Sequence, residues 1–270
     1  MDLGGAVVVV TGASRGLGAL IAEHFAARGT DLVLAARSAG GLEETAARVR
    51  ALGRRAVCVP TDVMDAGERQ MLVERAVDEM GKIDVLVNNA GIERYERFER
   101  EDPATIDAIV TTNLIAPLQL ARLVLPGMIE RRRGHIVNMA SAAGKTAVPY
   151  NSTYGATKHA LVGFSWSLRE EMRPHGIGVS VVCPGFVTET GMAASWLEGR
   201  RVPKVAGAIP PGRVAEATVR VVERNRAEAV VSAGLGKIAD VSMAISPDFS
   251  MSVARRAGLY KLLRSGADRK

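Results

Sequence analysis

A doubly wound, parallel α/β sheet of about seven strands, with helices on both faces, is the fold predicted for this 270-residue sequence. Three observations predict it. Seven short runs are nearly all apolar and rich in valine, as expected of strands covered on both faces. Segments of helical period lie between most of them, giving the β-α-β-α rhythm of a parallel sheet. No repeated, low-complexity or linker-like stretch interrupts the rhythm, so the chain reads as a single domain over 1–270.

The strands are expected at 6–10, 32–35, 56–59, 85–87, 135–138, 179–183 and 229–231. The helices are expected at 17–28, 42–52, 68–80, 103–132, 154–173 and 214–225. The fourth contains Pro117, which has no N–H to donate and predicts a kink or break there. The rhythm fails over 189–211, where Gly191, Trp196, Gly199, Pro203 and the pair Pro210-Pro211 occur. That stretch reads as an excursion over the carboxyl edge of the sheet, where ligands of such folds bind, and about 189–212 is expected to form a variable substrate lid.

Composition bounds the function. With 47% hydrophobic and 24% charged residues, the chain can bury a large core without disulfides or metal. Cys58 and Cys183 each sit in an apolar strand-like run, so two buried, reduced thiols are expected rather than a redox pair. Four scattered histidines show no ligand-like spacing, and no metal is expected. The opening MDLGGAVVVV lacks a basic leader, and nowhere do eighteen apolar residues run together; a cytoplasmic protein with no membrane-spanning helix is expected. The formal charge is +6, but 251–270 carries Arg255, Arg256, Lys261, Arg264, Arg269 and Lys270 against Asp268 alone. The rest of the chain is nearly neutral, which argues against a nucleic-acid partner. On one helical wheel Met251, Leu259, Leu262 and Leu263 share a face with Arg255 in its middle, a poor pattern for a membrane-surface helix. A solvated tail partly packed on a neighbouring subunit is the simpler reading, with peripheral membrane or carrier-protein contact the less favoured one.

The first strand runs into Thr11-Gly12-Ala13-Ser14-Arg15-Gly16-Leu17-Gly18 and then a helix. Such a turn presents unpaired N–H groups and the positive end of the helix dipole, both suited to a pyrophosphate. Its place between an apolar strand and a helix is the context of a Rossmann-type dinucleotide site; no lysine followed by Ser or Thr follows the glycines, so a P-loop is not indicated. After the second strand an NAD site carries an acid for the ribose 2′-hydroxyl, whereas a 2′-phosphate is met by arginine. Here Arg37 stands beside that position with no acid, and Arg15 is a second cation within the turn. The pair points to NADP(H).

Ser141 follows the fifth strand, with Tyr154 thirteen positions on and Lys158 four further. Positions i and i+4 share a helix face, so Tyr154 and Lys158 are expected in one cleft. A free phenol has a pKa of about 10, and a neighbouring ammonium would favour the phenolate and make it a usable acid–base group. Ser141, at a strand's carboxyl end, could hold the substrate oxygen.

With these residues in place the sequence resembles the short-chain dehydrogenase/reductase family, in its single-domain branch. The resemblance is carried by TGASRGLG at 11–18, Asp62, Asn88-Asn89-Ala90-Gly91, Asn113, Ser141, Tyr154, Lys158 and Pro184-Gly185, in family order and spacing. It implies that Tyr154 is the acid–base, that Ser141 polarises the reacting oxygen, and that Lys158 lowers the tyrosine pKa and binds the nicotinamide ribose. Asn113 would hold a water passing protons from Lys158 to solvent. Gly12, Ser14, Arg15, Gly16, Leu17, Gly18 and Arg37 would hold the phosphates, Asp62 and Val63 would flank the adenine, and Asn89, Ala90 and Gly91 would line the middle of the cofactor. Pro184, Gly185 and Val187 would face the carboxamide. Asn88 reads equally as a residue that holds the sheet together. One departure stands out: Glu189 occupies the family's usual threonine position, with Thr188 and Thr190 on either side, so either could make that cofactor contact.

The implied activity is transfer of a hydride between NADP(H) and a ketone or secondary alcohol. Tyr95, Ala143, Val148, Tyr150, Phe186, Met192, Trp196 and Leu197 are the candidate pocket residues, an apolar and aromatic set that suggests a lipophilic substrate. Two other classes reuse this fold: an epimerase or dehydratase, which usually has a longer sugar-binding region, and a dinucleotide-binding regulatory protein, which has no need of the proton-handling residues. The resemblance also implies a homodimer or homotetramer; small residues over 155–163 would permit close helix packing.

Overall fold

A computed structural model of the protein describes residues 1–187, 208–233 and 242–268. Its main sheet comprises β1 (Val7–Thr11), β2 (Asp31–Ala36), β3 (Ala56–Pro60), β4 (Val85–Asn88), β5 (Gly134–Met139), β6 (Ile177–Pro184) and, near the carboxyl end, β9 (Glu228–Val231). A two-stranded sheet pairs β7 (Phe186–Val187) with β8 (Ala208–Ile209). The helices are α1 (Gly16–Ala26), α2 (Ala39–Ala51), α3 (Ala66–Met80), α4 (Pro103–Val110), α5 (Ala116–Glu130), α6 (Ser152–Met172), α7 (Pro211–Glu223), α8 (Pro247–Arg256) and α9 (Leu259–Ala267).

The order in the main sheet is β3-β2-β1-β4-β5-β6-β9, every pairing parallel. The chain winds outward from β1 to β3, then returns to place β4 on the other side of β1. Between β1 and β4 the connections leave in opposite directions, which opens a crevice at the strands' carboxyl ends. Alternate residues of each strand feed opposite faces. Val8 and Val10 pack with Ile21, Phe25 and Leu42 of α1 and α2, while Val7 and Val9 pack with Leu72, Leu120 and Met128 of α3 and α5. Each such fully buried aliphatic or aromatic side chain contributes on the order of 1.5–3 kcal/mol.

Local chemistry explains where the elements begin. Ser38, Asp65 and Asp102 accept from the first-turn N–H groups of α2, α3 and α4, so these helices start on their caps. For α2 and α3 that places the start ahead of the apolar pattern that marks them in the sequence. The long helix expected at 103–132 is interrupted. Residues Thr111–Ile115 form a π-helical turn in which the Ala116 N–H reaches back to the Thr111 carbonyl. Pro117 follows and has no N–H for the Asn113 carbonyl, so the ladder shifts by one residue just before the proline. The run Pro103–Glu130 is long and apolar enough to cross a membrane by length and composition, and 44% of its most apolar window is buried within the protein.

Three expectations are corrected. Cys183 is buried, but Cys58 is only half-buried, because β3 is the outermost strand of the sheet. The tail is not one helix: Gly258, at φ +77°, turns the chain between α8 and α9, so a single wheel does not apply. Nor is the tail a free solvated segment, since Leu263 and Ala267 are buried within this same chain. Of the excursion, Ala208 and Ile209 form β8 and Pro211 opens α7; Thr188, Glu189, Thr190, Met192, Trp196 and Leu197 lie outside the described residues.

Candidate active site

At the crevice a cavity of about 1760 Å³ extends along the carboxyl ends of the strands. Small-molecule sites usually span ~300–1,000 Å³, so this one has room for more than a single small ligand. One end is built almost entirely from backbone. Gly12 holds φ +68°, and a Cβ there would stand 3.0 Å from the Ala90 Cα. At Gly18 a Cβ would lie 2.1 Å from the Gly12 carbonyl oxygen, so only glycine lets α1 start so close to the turn. Unlike the next three helices, α1 has no side-chain cap, and its first turn carries no acid. Its leading N–H groups and the positive end of its dipole are therefore offered to the cavity, the donor set a pyrophosphate requires.

The loop after β4 is pinned to this turn. The Thr11 hydroxyl accepts from the N–H groups of Asn89 and Ala90, both at 3.0 Å, and the Asn89 amide donates to the Thr11 carbonyl at 2.9 Å. Gly12, Ser14, Arg15, Gly16, Leu17, Gly18, Arg37, Asp62, Val63, Asn89, Ala90, Gly91, Pro184, Gly185 and Val187 all line the cavity. Arg15, Arg37 and Ser38 line it together, with Glu44 of α2 the acid nearby. Asn88 does not line it: its amide donates to Asn138 Oδ1 at 2.9 Å and to the Pro117 carbonyl at 3.3 Å, joining β4 to β5 and α5. Buried Arg69 donates to the carbonyl of Val63 and to Gln119 Oε1, fixing the loop after β3 from behind.

Ser141, Tyr154 and Lys158 converge at the centre of the cavity. Ser141 accepts from the Ala143 N–H at 3.1 Å and stands within hydrogen-bond reach of the Tyr154 phenol. Tyr154 is buried, and burial, reinforced by the charge of Glu93, pushes its pKa well above the ordinary phenol value, with the Ser141 hydrogen bond opposing. The Lys158 ammonium lies 5.4 Å from the centre of the phenol ring and donates to the Met139 carbonyl at 2.8 Å. Burial also lowers its own pKa to about 8. Desolvation is the leading cause for each group and favours its neutral form relative to water.

Asn113 is buried behind this centre rather than on its wall. Its amide donates to the Ile92 carbonyl and its Oδ1 accepts from the Ile92 N–H, both at 2.8 Å. The π-helical turn thus aims Asn113 at the loop after β4, and the side chain latches that loop beside Lys158. Of the expected pocket residues, Tyr95, Ala143, Val148 and Phe186 line the cavity; Tyr150 does not, and holds a left-handed backbone at φ +65° instead.

Two contributors carried no signal in the sequence. Glu93 lines the cavity and accepts from the Asn151 amide at 3.2 Å, bringing a carboxylate whose charge reaches Tyr154, Lys158 and Tyr95. The second is the α8–α9 hairpin, which closes the end of the cavity opposite α1. A carboxylate two residues past an Asn-Ala-Gly turn has no reading without the fold, and the hairpin's placement depends on a contact across more than 160 residues.

A family model described as short chain dehydrogenase matches residues 6–201. The chain belongs to this family. Membership makes it an oxidoreductase acting on carbonyl or alcohol groups. The chain is 43% identical over 230 residues to the ketoacyl reductase HetN of Nostoc sp., covering 85% of this chain and 79% of that protein. It is 35% identical over 214 residues to the 3-oxoacyl-acyl-carrier-protein reductase FabG of Escherichia coli, covering 79% and 86%. Among solved structures, an actinorhodin polyketide ketoreductase with NADPH matches with a TM-score of 0.80 at 33% identity, covering 86% of this chain and 97% of that one. The family match ends at residue 201, so it includes the glycine turn and the central residues but not the hairpin.

Proposed function

We propose that the protein is an NADP(H)-dependent reductase of lipophilic ketones, able to run in reverse on the matching secondary alcohols. The observation that carries this reading is a buried phenol, Tyr154, beside Ser141 in a cavity that also holds a glycine-rich turn suited to pyrophosphate. The two arginines lining that cavity, Arg15 and Arg37, favour a 2′-phosphate, and the neighbouring structure holding NADPH supports the same choice. When bound, the dinucleotide supplies or takes up the hydride.

The chain's own residues do the rest. Ser141 donates a hydrogen bond to the ketone oxygen and orients it. Tyr154, kept neutral by burial, gives that oxygen its proton as charge develops, so no free alkoxide forms. Lys158 serves as a donor to the nicotinamide ribose, and Asn113 holds the loop after β4 so that Gly91 and Ile92 keep their places beside it. Thr188 or Thr190 would complete the carboxamide contact begun by Pro184, Gly185 and Val187. The two ketoacyl reductases among the relatives support a ketone flanked by an acyl chain over a sugar.

The test is consumption of NADPH with a panel of lipid-like ketones and of sugars and polyols, repeated with NADH. Turnover of the ketones with NADPH is expected. Preference for the polar set, or for NADH, would overturn the substrate or the cofactor assignment respectively.

A further inference from the structure

The cavity continues past Tyr154 and Ser141, and its far wall is built by α8 and α9, outside the family match. Phe249, Val253, Ala257, Leu259, Tyr260 and Leu263 face it. Among the described residues this surface is apolar but for the hydroxyls of Ser250 and Tyr260, and Arg255, Arg256, Lys261 and Arg264 do not line it. Phe249 and Val253 are 63% and 45% exposed, an apolar strip one helical turn apart at the cavity's edge. By contrast Leu263 is 1% exposed and anchors the hairpin.

The hairpin is tied across the cavity to the loop after β4. Asp268 Oδ1 accepts from Arg97 Nη2 at 3.2 Å, and Tyr95 packs over Gly266, where a Cβ would meet the ring at 3.4 Å. Tyr95 itself lines the cavity with Val148. A largely apolar trough therefore runs from Tyr95 and Val148 along the hairpin, with Glu93 and Arg94 the charged residues lining the cavity next to Tyr95 in the chain.

We propose that the α8–α9 hairpin is the substrate-selecting wall and that it takes an extended hydrocarbon chain attached to the reacting ketone. The proposal rests on the ketone-reductase reading given above. A chain lying in the trough covers the exposed faces of Phe249 and Val253 and is removed from water along its length. Among the described residues of the hairpin, a charged or polyhydroxylated chain finds only the hydroxyls of Ser250 and Tyr260 as polar partners.

A homologous series of straight-chain 2-alkanones, assayed with NADPH, tests it. The expected kcat/KM rises with chain length by up to about fourfold per methylene, the equivalent of ~0.8 kcal/mol, until the trough is full. Phe249→Asp and Val253→Asp change exposed positions, so both are expected to fold and bind NADPH normally, which intrinsic fluorescence and a thermal melt verify. In both variants the advantage of the longest ketone over the shortest falls at least tenfold. A flat series in the wild type, or a slope unaltered in both variants, overturns the hairpin proposal while leaving the ketone-reductase reading intact. Absence of any NADPH-dependent ketone turnover overturns both.

Discussion

The two ends of the cavity are built by different means. At the α1 end the wall is backbone: a glycine turn, a loop pinned to Thr11, and helix N–H groups without a side-chain cap. At the α8–α9 end it is side chains, carried by two short helices and tied to the loop after β4 by an ion pair and by a ring over a glycine. Backbone geometry tolerates almost no substitution where atoms already touch, whereas a packed side-chain wall can be exchanged while the fold stays the same. One end therefore suits a ligand that is fixed, and the other a ligand that differs between relatives.

Replacing a glycine at each end should expose that contrast most strongly. In Gly18→Ala the new methyl would sit 2.1 Å from the Gly12 oxygen, so the turn must move. Overpacking of this kind costs ~1–3 kcal/mol, and NADPH affinity by fluorescence titration is expected to fall roughly 10- to 100-fold. Gly266→Ala, whose methyl would meet Tyr95 at an ordinary 3.4 Å, should leave NADPH affinity unchanged. Equal losses in the two variants would erase the distinction.

A smaller effect is expected with pH, at the point where the two ends meet. Burial lowers the Lys158 pKa to about 8, below its ordinary 10.5. If its ammonium is needed, kcat/KM for reduction is flat below pH ~8 and falls up to tenfold per unit above it. Stability changes in the opposite sense. Between about 8 and 10.5 the unfolded chain holds the proton that folded Lys158 has lost, so this residue's contribution to stability rises with pH across that window. Parallel kinetic and melting profiles should therefore diverge above pH 8. Lys158→Met should flatten the stability component, and loss of activity tracking loss of fold would contradict the assignment.

The sequence made the first end legible and left the second nearly blank, for physical reasons. Val7–Thr11 and Gly16–Ala26 announce themselves through valine runs and a glycine turn because backbone conformation is set locally. Gly12 and Gly18 are glycine for reasons that lie within a few residues or one strand away. Tyr154 and Lys158 share a cleft because four residues make about one helical turn. Their protonation, however, depends on burial and on Glu93, which no spacing rule exposes. Pro117 signalled a break in its helix, but not that the break would be a π-helical turn placing Asn113 on Ile92. The basic tail misled most: its charge pattern suggested a solvated strip, while the contacts of Gly266 with Tyr95 and of Asp268 with Arg97 reach across to a far loop that the tail's own sequence does not name.

The most direct test of the central claim is Tyr154→Phe, with NADPH affinity and single-turnover reduction of a long-chain ketone measured on the same preparation. The buried phenol as proton donor predicts wild-type affinity with the rate reduced by ~10²–10⁴-fold. A variant that binds NADPH and still reduces the ketone at the original rate would contradict it.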